Sequence, residues 1–299
     1  MSAWADPSRV MSGVDASIER LRRHLRVLER VVVAFSGGAD SAFLAWMAQD
    51  TLGKANTHVV TAVSASLAPE EARDCASLAD EWDLRWTAVL THELANEAYV
   101  ANAGDRCFHC KTELMAVAVP MADAEGAVVV LGVNLDDLVD HRPGQRAALD
   151  HGAVFPLVEA GFTKVEVREA SRRLGLRTWD KPAAACLASR VPYGTPVTVG
   201  VLESVARAEG SLRRLGFRQL RVRHHGEVAR VELGVDEMTA GLDCASAVVE
   251  AVKEAGYRYV TLDLEGFRSG NLNQALNQTL SPTPQRRSSS IGVQVGKAR

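Results

Sequence analysis

A run of apolar residues followed by a glycine-rich turn is the feature that most constrains how this chain can fold. Val31 to Phe35 are all apolar, and such a continuous run is typical of a strand buried on both faces of a parallel sheet. The run ends in Ser36-Gly37-Gly38-Ala39-Asp40-Ser41, and the helical stretch Ala42 to Gln49 follows. We therefore expect a strand–loop–helix unit of an α/β domain.

Further apolar segments alternate with helical patterns along the first half of the chain. Strands are predicted at His58 to Val63, Trp86 to Leu90 and Ala127 to Val133. Helices are predicted at residues 15–30, at Pro69 to Asp83 and in a stretch that follows the Cys107–Cys110 region. Alternating strands and helices are typical of βαβ units, which build one sheet with helices on its faces. The sequence therefore predicts an α/β fold with a doubly wound, mostly parallel sheet.

The pattern changes after about residue 190. The remaining segments are predicted as helix, strand, strand, helix and strand, at Val201 to Leu215, Leu220 to His224, Ala229 to Leu233, Asp236 to Ala255 and Tyr259 to Leu264. This unit is too small to be another doubly wound sheet. We predict a smaller C-terminal α+β domain.

The chain is therefore expected to have three parts. Residues 1–190 are predicted to form the nucleotide-binding domain, and residues 191–270 a domain for substrate binding and group transfer. Residues 271–299 contain Ser-Pro-Thr-Pro and Arg-Arg-Ser-Ser-Ser and few large apolar groups. Such a segment cannot bury enough surface to offset the entropy of ordering, so we predict a disordered tail.

Charge and composition narrow the class of function. The net charge is −3, so no overall positive field favours a nucleic acid partner. The longest apolar runs, such as Val128 to Val133, are far too short to span a bilayer. The first residues do not combine a basic segment with an apolar one, and five cysteines, an odd number, argue against a disulfide framework. We expect a cytoplasmic protein that acts without a membrane or nucleic acid partner.

The glycine-rich loop has the chemistry of an anion site. Glycines let the backbone approach an anion closely, and the N-terminus of the following helix directs N–H groups and a positive dipole end at it. The hydroxyls of Ser36 and Ser41 add donors, and the Gly-Lys-Ser/Thr ending of a Walker loop is absent. The alternative is a plain glycine turn in which Asp40 only caps the helix.

The sequence Ser-Gly-Gly-X-Asp-Ser after the first strand resembles the pyrophosphate loop of the N-type ATP pyrophosphatases, which include GMP synthetase, NAD synthetase and tRNA thiolases. The resemblance implies the adenine nucleotide alpha hydrolase-like, or PP-loop, fold. It also implies that ATP adenylates an oxygen of the substrate and that a nucleophile then displaces AMP. The residues it implies in ATP binding are Ser36, Gly37, Gly38, Asp40 and Ser41, with Asp40 also in catalysis.

A second segment, Leu131-Gly132-Val133-Asn134-Leu135-Asp136-Asp137, also resembles that superfamily. It adds Gly132 to the predicted ATP site and sets Asp136 and Asp137 after a later strand. These carboxylates could hold Mg²⁺, which prefers hard oxygen ligands and phosphates. The alternative is that both aspartates cap the next helix.

Three cysteines form a candidate sulfur site. Cys107 and Cys110 make a Cys-x-x-Cys pair, which alone is compatible with a redox pair or half a zinc site. With Cys186 they give three thiolates without an obvious fourth ligand, a set that suits a [4Fe–4S] cluster with one open iron position. Cys75 and Cys244 lie in helical patterns and are interpreted as small core residues.

Several segments together resemble one branch of the superfamily, the LarE sulfur transferases, over about residues 15–275. The matching stretches are Asp105 to Lys111, His141 to Gly144, Pro156-Leu157, Gly161 to Arg168, Lys181-Pro182, Cys186 to Gly194, Val222 to Gly226 and Gly266 to Gly270. The combination is far more specific than any single motif.

The LarE resemblance implies a concrete reaction. The substrate is pyridinium-3,5-dicarboxylate mononucleotide, a precursor of the nickel-pincer nucleotide cofactor of lactate racemase. ATP adenylates a carboxylate, and sulfur converts it to a thiocarboxylate. Some members give up the sulfur of a cysteine that matches Cys186, whereas others with three cysteines use a [4Fe–4S] cluster and external sulfide. This chain resembles the three-cysteine type, and the resemblance also implies a homo-oligomer.

Cationic residues complete the predicted site. The implied substrate carries a phosphate and two carboxylates, and a guanidinium group matches such anions as a two-pronged donor. The predicted substrate-binding residues are Ser189, Arg190, Arg221 and Arg223. Arg221 and Arg223 alternate on one strand and therefore share a face, although a solvated strand face is the alternative. Glu209 is a weak candidate for orienting an arginine and is left out of the site.

Lys164 and Arg168 are four residues apart at a predicted helix start. They are assigned to the leaving pyrophosphate, and the alternative is that they only decorate that helix.

Three other functions compete with sulfur transfer to a small nucleotide. A tRNA thiolase would share ATP activation, but the acidic balance and the lack of a recognisable RNA-binding appendage argue against it. An amidating synthetase would use ammonia and would not need three thiols. A nucleotide-binding regulator without turnover would need neither the paired cysteines nor the site-like charges.

Overall fold

The computed structural model describes residues 13–138, 143–182 and 185–268. The helices of these residues are α1 Gly13–Leu28, α2 Ala39–Leu52, α3 Pro69–Glu81, α4 Glu97–Val100, α5 Arg106–Glu125, α6 Pro143–Asp150, α7 Pro156–Glu159, α8 Lys164–Arg173, α9 Val199–Arg214, α10 Met238–Asp243 and α11 Ala245–Glu254. The strands are β1 Val31–Ala34, β2 Thr57–Val63, β3 Arg85–Leu90, β4 Val128–Leu131, β5 Leu220–His225, β6 Val228–Leu233 and β7 Tyr259–Leu262. The predicted tail at 271–299 lies outside the described residues, as do His141, Arg142, Ser269 and Gly270 of the matching stretches.

A parallel sheet of strand order β3-β2-β1-β4 forms the centre of the N-terminal part. Alternate residues of each strand pack in different hydrophobic cores, one on each face of the sheet, because successive side chains of a strand point to opposite faces. Val31 and Val33 pack with α1, α2 and α8 on one face, whereas Val32 and Val60 pack with α5 and α6 on the other. Both faces are covered, so the prediction of a doubly wound parallel sheet is confirmed.

The strand order reverses direction between β1 and β4. The chain runs outward from β1 to β2 and β3 and then returns to place β4 on the other side of β1. In open α/β sheets, ligands bind outside the carboxyl ends of the strands at such a switch point. The loop after β1 and the segment after β4 both begin there, which sets the position of the site.

Helix α5 begins earlier than the sequence predicts. The prediction sets a helical stretch after the paired cysteines, but α5 starts at Arg106 and carries Cys107 and Cys110 in its first turns. No acidic residue occupies its first turn, and Asp105 is its N-cap. None of the helices within the described ranges, α5 included, is long and apolar enough to cross a membrane.

A second, three-stranded sheet has the order β5-β6-β7, with β5 antiparallel and β7 parallel to β6. Helices α9 and α11 pack on it, which confirms the predicted helix–strand–strand–helix–strand order. The single helix predicted at Asp236 to Ala255 is wrong, since the backbone leaves helical geometry at Cys244 between α10 and α11. The break lets α10 approach β6, where a Cβ on Gly241 would lie 2.5 Å from Leu233 Cδ1.

Candidate active site

The loop after β1, residues 36–41, is here called the ATP loop. Gly38 is the N-cap of α2, and as a glycine it has no side chain to bond the first amides of that helix. Gly37 adopts a left-handed backbone with φ of +68°, which favours glycine. The Ser36 and Ser41 hydroxyls lie 3.1 Å apart. The loop therefore presents backbone N–H groups and hydroxyls at a helix N-terminus, an arrangement that suits phosphate oxygens.

Gly132 lets β4 pack directly beneath the start of α2. A Cβ at this position would lie 2.8 Å from Ser41 N and 2.9 Å from the Asp40 carbonyl carbon. Those contacts involve backbone atoms, which cannot rotate away as the end of a side chain can. The predicted role of Gly132 in the ATP site thus has a steric basis: only glycine admits this approach.

Asp40 does not cap α2, because it lies inside the first turn rather than at the cap position. Its carboxylate accepts a hydrogen bond from Asn134 Nδ2 at 3.1 Å. Burial raises the pKa of Asp40, although the positive charge of Lys164 and the bond from Asn134 act in the opposite direction. Asn134 is fully buried and joins the ends of β1 and β4, and no role was predicted for it from the sequence.

Asp136 and Asp137 lie in a 3-10 turn, Leu135–Leu138. Asp136 Oδ2 accepts from the backbone N–H of Lys164 at 2.6 Å, and Asp137 Oδ2 accepts from Asn134 N at 3.3 Å. Asp136 therefore binds the first residue of α8, not that of α6, the next helix along the chain. Over the described ranges no three His, Cys, Asp or Glu side chains form a group that could hold a metal ion.

Lys164 and Arg168 occupy the first turns of α8, as predicted. Thr163 and Glu166 form a capping box that fixes where the helix begins. The charges of both cations act on Asp40, which lies in the first turn of α2. Arg168 also donates to the carbonyl oxygens of Trp179 and Lys181, at 3.1 and 2.8 Å.

The three cysteines share one neighbourhood. Cys110 and Cys186 pack against the same apolar cluster, which includes Tyr99 and Leu187. The pKa of Cys110 is raised to about 12, mainly by burial; Lys111 opposes the rise and Cys186 contributes to it. The three thiols do not form a closed set of metal ligands in the described residues.

Arg106 connects α5 to the segment that carries Cys186. Its buried guanidinium donates to the Ala188 carbonyl at 2.8 Å and also binds the Asn102 side chain. The negative charges of Cys186 and Cys107 raise the pKa of Arg106 against the opposing effect of burial. A positive charge thus lies beside two of the three thiols.

Two of the predicted substrate-binding arginines are held by buried carboxylates. Arg190 makes a two-pronged ion pair with Glu209, at 2.8 and 3.0 Å. Arg223 pairs in the same way with Glu232 and also donates to the Ser189 carbonyl at 2.9 Å. Glu209, left out of the predicted site, and Glu232 therefore orient two of its arginines.

Arg221 differs from its neighbours. Arg221 is only 5% exposed, and its guanidinium lies 4.7 Å from the centre of the Phe267 ring. It has no carboxylate partner among the residues the structure describes. Burial, together with the charges of Arg190 and Arg223, lowers the pKa of Arg221 to about 10. Arg221, Arg190 and Lys181 line a cleft of about 110 Å³. Of these three cations, Arg221 is the one without a carboxylate partner in the part of the chain that the structure describes.

The fold and the ATP loop define the class as the ATP-using PP-loop enzymes. In agreement, the family model described as NAD synthase matches residues 15–113. Relatives match over most of the chain. An uncharacterised protein of Synechocystis sp. is 44% identical over 268 residues, 89% of this chain and 100% of the relative. An uncharacterised protein of Methanocaldococcus jannaschii is 22% identical over 81% of this chain and 92% of the relative.

A third relative has a defined activity in its name. The pyridinium-3,5-bisthiocarboxylic acid mononucleotide synthase of Lactiplantibacillus plantarum is 38% identical over 255 residues, 85% of this chain and 92% of the relative. The chain belongs to the family of that synthase, the LarE family of the PP-loop superfamily.

Proposed function

We propose that this protein is an ATP-dependent sulfur transferase that converts carboxylates of pyridinium-3,5-dicarboxylate mononucleotide into thiocarboxylates. The observation that carries the proposal is a set of contacts that link the ATP loop, the arginine-lined cleft and the cysteines. Lys181 and Arg190 both line the cleft; Lys181 binds the Gly37 carbonyl of the loop, and Arg190 binds the Cys186 carbonyl. The reaction needs these three elements, one each for activation, substrate binding and sulfur supply.

The activation step follows from the ATP loop. A substrate carboxylate oxygen attacks the α-phosphorus of ATP, which forms an acyl adenylate and releases pyrophosphate. Ser36, Gly37, Gly38 and Ser41 would bind the pyrophosphate oxygens through backbone and hydroxyl donors. Lys164 and Arg168 would add positive charge on the α8 side of the site.

Mg²⁺ would supply charge neutralisation on the phosphates of ATP. Asp40, Asp136 and Asp137 offer hard oxygen ligands near the ends of β1 and β4, but fewer than three described side chains approach one point. Mg²⁺ is usually bound by one or two carboxylates together with phosphate oxygens and water. The residues present therefore fit an ion that arrives with the nucleotide.

The substrate would bind through its phosphate and carboxylates in the cleft beside Arg221. Arg190, Arg223 and Ser189 would complete the anion site, with Glu209 and Glu232 fixing the two paired guanidinium groups. A triply anionic ligand would also offset the repulsion that Arg221 receives from the other arginines.

Sulfur would come from the Cys107, Cys110 and Cys186 neighbourhood. The thiol donor set suits a [4Fe–4S] cluster, which would supply an iron-bound sulfide when present, but the described sulfurs are not gathered as a closed ligand set. The alternative source is Cys186 itself. In either case a sulfur nucleophile attacks the acyl adenylate and the C–O bond to AMP breaks. Sulfide gives the thiocarboxylate directly, whereas Cys186 first gives a thioester. Loss of the Cys186 α-proton and cleavage of its Cβ–S bond would then release the thiocarboxylate and leave dehydroalanine.

The remaining features of the proposal concern organisation. A domain boundary near residue 190, homo-oligomer formation and cytoplasmic location all stay predictions. Sedimentation analysis of the purified protein would measure the oligomeric state.

The function is tested by supplying the purified protein with ATP, Mg²⁺, a sulfur source and the pyridinium dicarboxylate mononucleotide. We expect AMP and pyrophosphate in equal amounts, together with a product in which sulfur replaces oxygen. Parallel reactions contain a tRNA transcript, or ammonia in place of sulfur. ADP and phosphate as the only nucleotide products would contradict the proposal, and so would turnover with tRNA or ammonia but not with the mononucleotide.

A further inference from the structure

Lys181 makes three contacts that join separate parts of the molecule. Its Nζ donates to the Gly37 carbonyl in the ATP loop at 3.1 Å. It also donates to Glu71 Oε2 at 2.7 Å and Asp74 Oδ2 at 2.5 Å, both on α3. Lys181 itself stands at the start of the segment that leads to Cys186.

These contacts use the whole donor capacity of the side chain. An ammonium group has three N–H donors, and each of the three acceptors takes one. The side chain of Lys181 is 16% exposed, and the two carboxylates compensate its charge locally. Lys181 is therefore engaged in holding the loop and has no donor left for a phosphate.

The contact with Gly37 controls the direction of a neighbouring amide. The Gly37 carbonyl and the Gly38 N–H belong to one trans peptide, so the two groups point in opposite directions. Gly38 is the N-cap of α2, and its N–H is one of the backbone donors of the loop. Holding the carbonyl on one side directs this N–H to the other.

The surroundings keep this contact in one place. A Cβ on Gly37 would lie 2.9 Å from Cys75 Sγ, so α3 packs tightly against the loop. Arg168 Nη2 binds the Lys181 carbonyl at 2.8 Å, which fixes the backbone of the lysine from the α8 side. Lys181 also lines the cleft that contains Arg221.

We propose that Lys181 is a positioning residue that sets the orientation of the ATP loop and ties that loop to the segment bearing Cys186. The inference rests on the proposed use of ATP by the loop, but not on the identity of the substrate or of the sulfur source. Lys181 acts through Gly37 and does not touch the nucleotide.

Binding of inorganic pyrophosphate and of ATP to the full-length protein, measured by calorimetry, tests this role. We expect Lys181→Met to weaken the binding of both ligands by about tenfold or more. The reason is that the Gly38 N–H would no longer be directed at a phosphate oxygen, and the loss of a well-placed donor to a charged oxygen has about this effect. Lys181→Arg should recover part of the affinity, because it restores a cation between the same acceptors. Lys54→Met is the matched control, since Lys54 pairs with Asp83 on the surface.

The carboxylates of α3 distinguish positioning from direct phosphate binding. If Lys181 positions the loop, a Glu71→Gln, Asp74→Asn double variant should weaken pyrophosphate binding in the same direction as Lys181→Met. The triple variant should then be no weaker than Lys181→Met alone. If Lys181 instead binds phosphate, removing its two carboxylate partners should leave affinity unchanged or raise it, and that result would overturn the inference.

The wild-type measurement separates this inference from the proposed function. A wild-type protein that binds neither ATP nor pyrophosphate contradicts the proposed function. A wild-type protein that binds both, with Lys181→Met folded and binding equally well, contradicts only the role of Lys181. Thermal unfolding of each variant shows whether it is folded, and Lys181→Arg supplies a second variant if the methionine form is not.

Discussion

Arg223 and Glu232 form a buried two-pronged ion pair, with Nε–Oε1 and Nη2–Oε2 distances of 2.9 and 3.0 Å. Both side chains are almost completely removed from solvent. The strand neighbour Arg221 has the same charge and a similar burial but no carboxylate partner among the described residues. Two arginines that the sequence treats alike therefore differ in environment: Arg223 is neutralised by a buried carboxylate, whereas Arg221 is the one we propose to face the anionic substrate.

Arg221→Met should weaken binding of the anionic substrate by about 10–100-fold while leaving the free energy of unfolding unchanged or increased, since it removes repulsion from Arg190 and Arg223. Arg223→Ala should lower the free energy of unfolding by about 3–5 kcal/mol, because the buried Glu232 loses its two-pronged partner and keeps, among the described residues, only the contact with the partly exposed Arg230. Urea unfolding and calorimetric titration measure the two effects. Equal loss of stability in both variants would show that the distinction is wrong.

Asp40→Asn should raise the melting temperature of the ligand-free protein at neutral pH, by up to about 2 °C, while lowering turnover. Burial raises the pKa of Asp40 in the folded state, so the ionised carboxylate reduces stability above that pKa. This loss of stability becomes smaller as the pH falls through the raised pKa of the folded state. It is absent below 3.8, the ordinary pKa of an aspartate. Melting curves of both proteins from neutral to acid pH should therefore converge, and a variant less stable at neutral pH would contradict this account.

Gly132→Ala should lower the free energy of unfolding by about 1–3 kcal/mol, because its methyl group meets backbone atoms of Ser41 and Asp40. It should also weaken ATP binding, since relief of the clash displaces the start of α2. Gly200→Ala is the matched control: nothing lies within 4 Å of its added carbon, and we expect stabilisation of up to about 1 kcal/mol. Chemical denaturation compares the two, and a neutral Gly132→Ala would rule out the steric role.

Glu209→Ala should lower the free energy of unfolding by about 3–5 kcal/mol, since it leaves the Arg190 guanidinium buried without its carboxylate partner. Burial alone would raise the pKa of Glu209, but Arg190 lowers it below the ordinary value. The carboxylate therefore stabilises the protein above its ordinary pKa of 4.5, and this contribution is lost as the pH falls through the folded-state pKa. Glu203→Ala, at an exposed position of α9, should leave the melting temperature nearly unchanged.

Replacing the three cysteines should reveal the sulfur source. If a cluster supplies sulfide, Cys107→Ala and Cys110→Ala should abolish turnover as completely as Cys186→Ala, and added sulfide should support repeated turnover. If Cys186 gives up its own sulfur, the wild-type protein should become lighter by one H₂S and react once. Intact mass spectrometry, iron and sulfide analysis and product counting distinguish the two outcomes. Cys244→Ser is the control, since Cys244 lies among the residues of the second sheet.

Local patterns identified the elements that create the site. The apolar run of β1, the glycines after it and the amphipathic helices have short-range signals, so β1, the ATP loop and α2 were predicted correctly. The start of α8 was predicted for the same reason, since its capping residues adjoin it. The start of helix α5 and the break at Cys244 were not predicted correctly, because helix-forming residues continue across both boundaries.

Contacts between distant residues could not be predicted in this way. Asp40 and Asn134 are 94 positions apart, and Lys181 and Gly37 are 144 apart, so each contact depends on how whole elements pack. A signal did exist for two missed carboxylates. Glu209 interrupts the apolar face of α9, and Glu232 stands between Val231 and Leu233 in β6, positions where an unpaired charge would be costly.

Residues near position 190 are bonded to distant parts of the chain, and several of these bonds join residues before position 190 to residues after it. Asn102 Nδ2 binds the Pro192 and Thr195 carbonyls, the Leu187 N–H binds the Ser66 carbonyl, and Arg190 is paired with Glu209. A fragment ending at 190 would keep a buried guanidinium without its carboxylate, and the complementary fragment would keep the carboxylate without its guanidinium. The two sheets are thus not interchangeable modules: a chimera joined at this point inherits a functional junction only if both halves come from relatives with matching pairs.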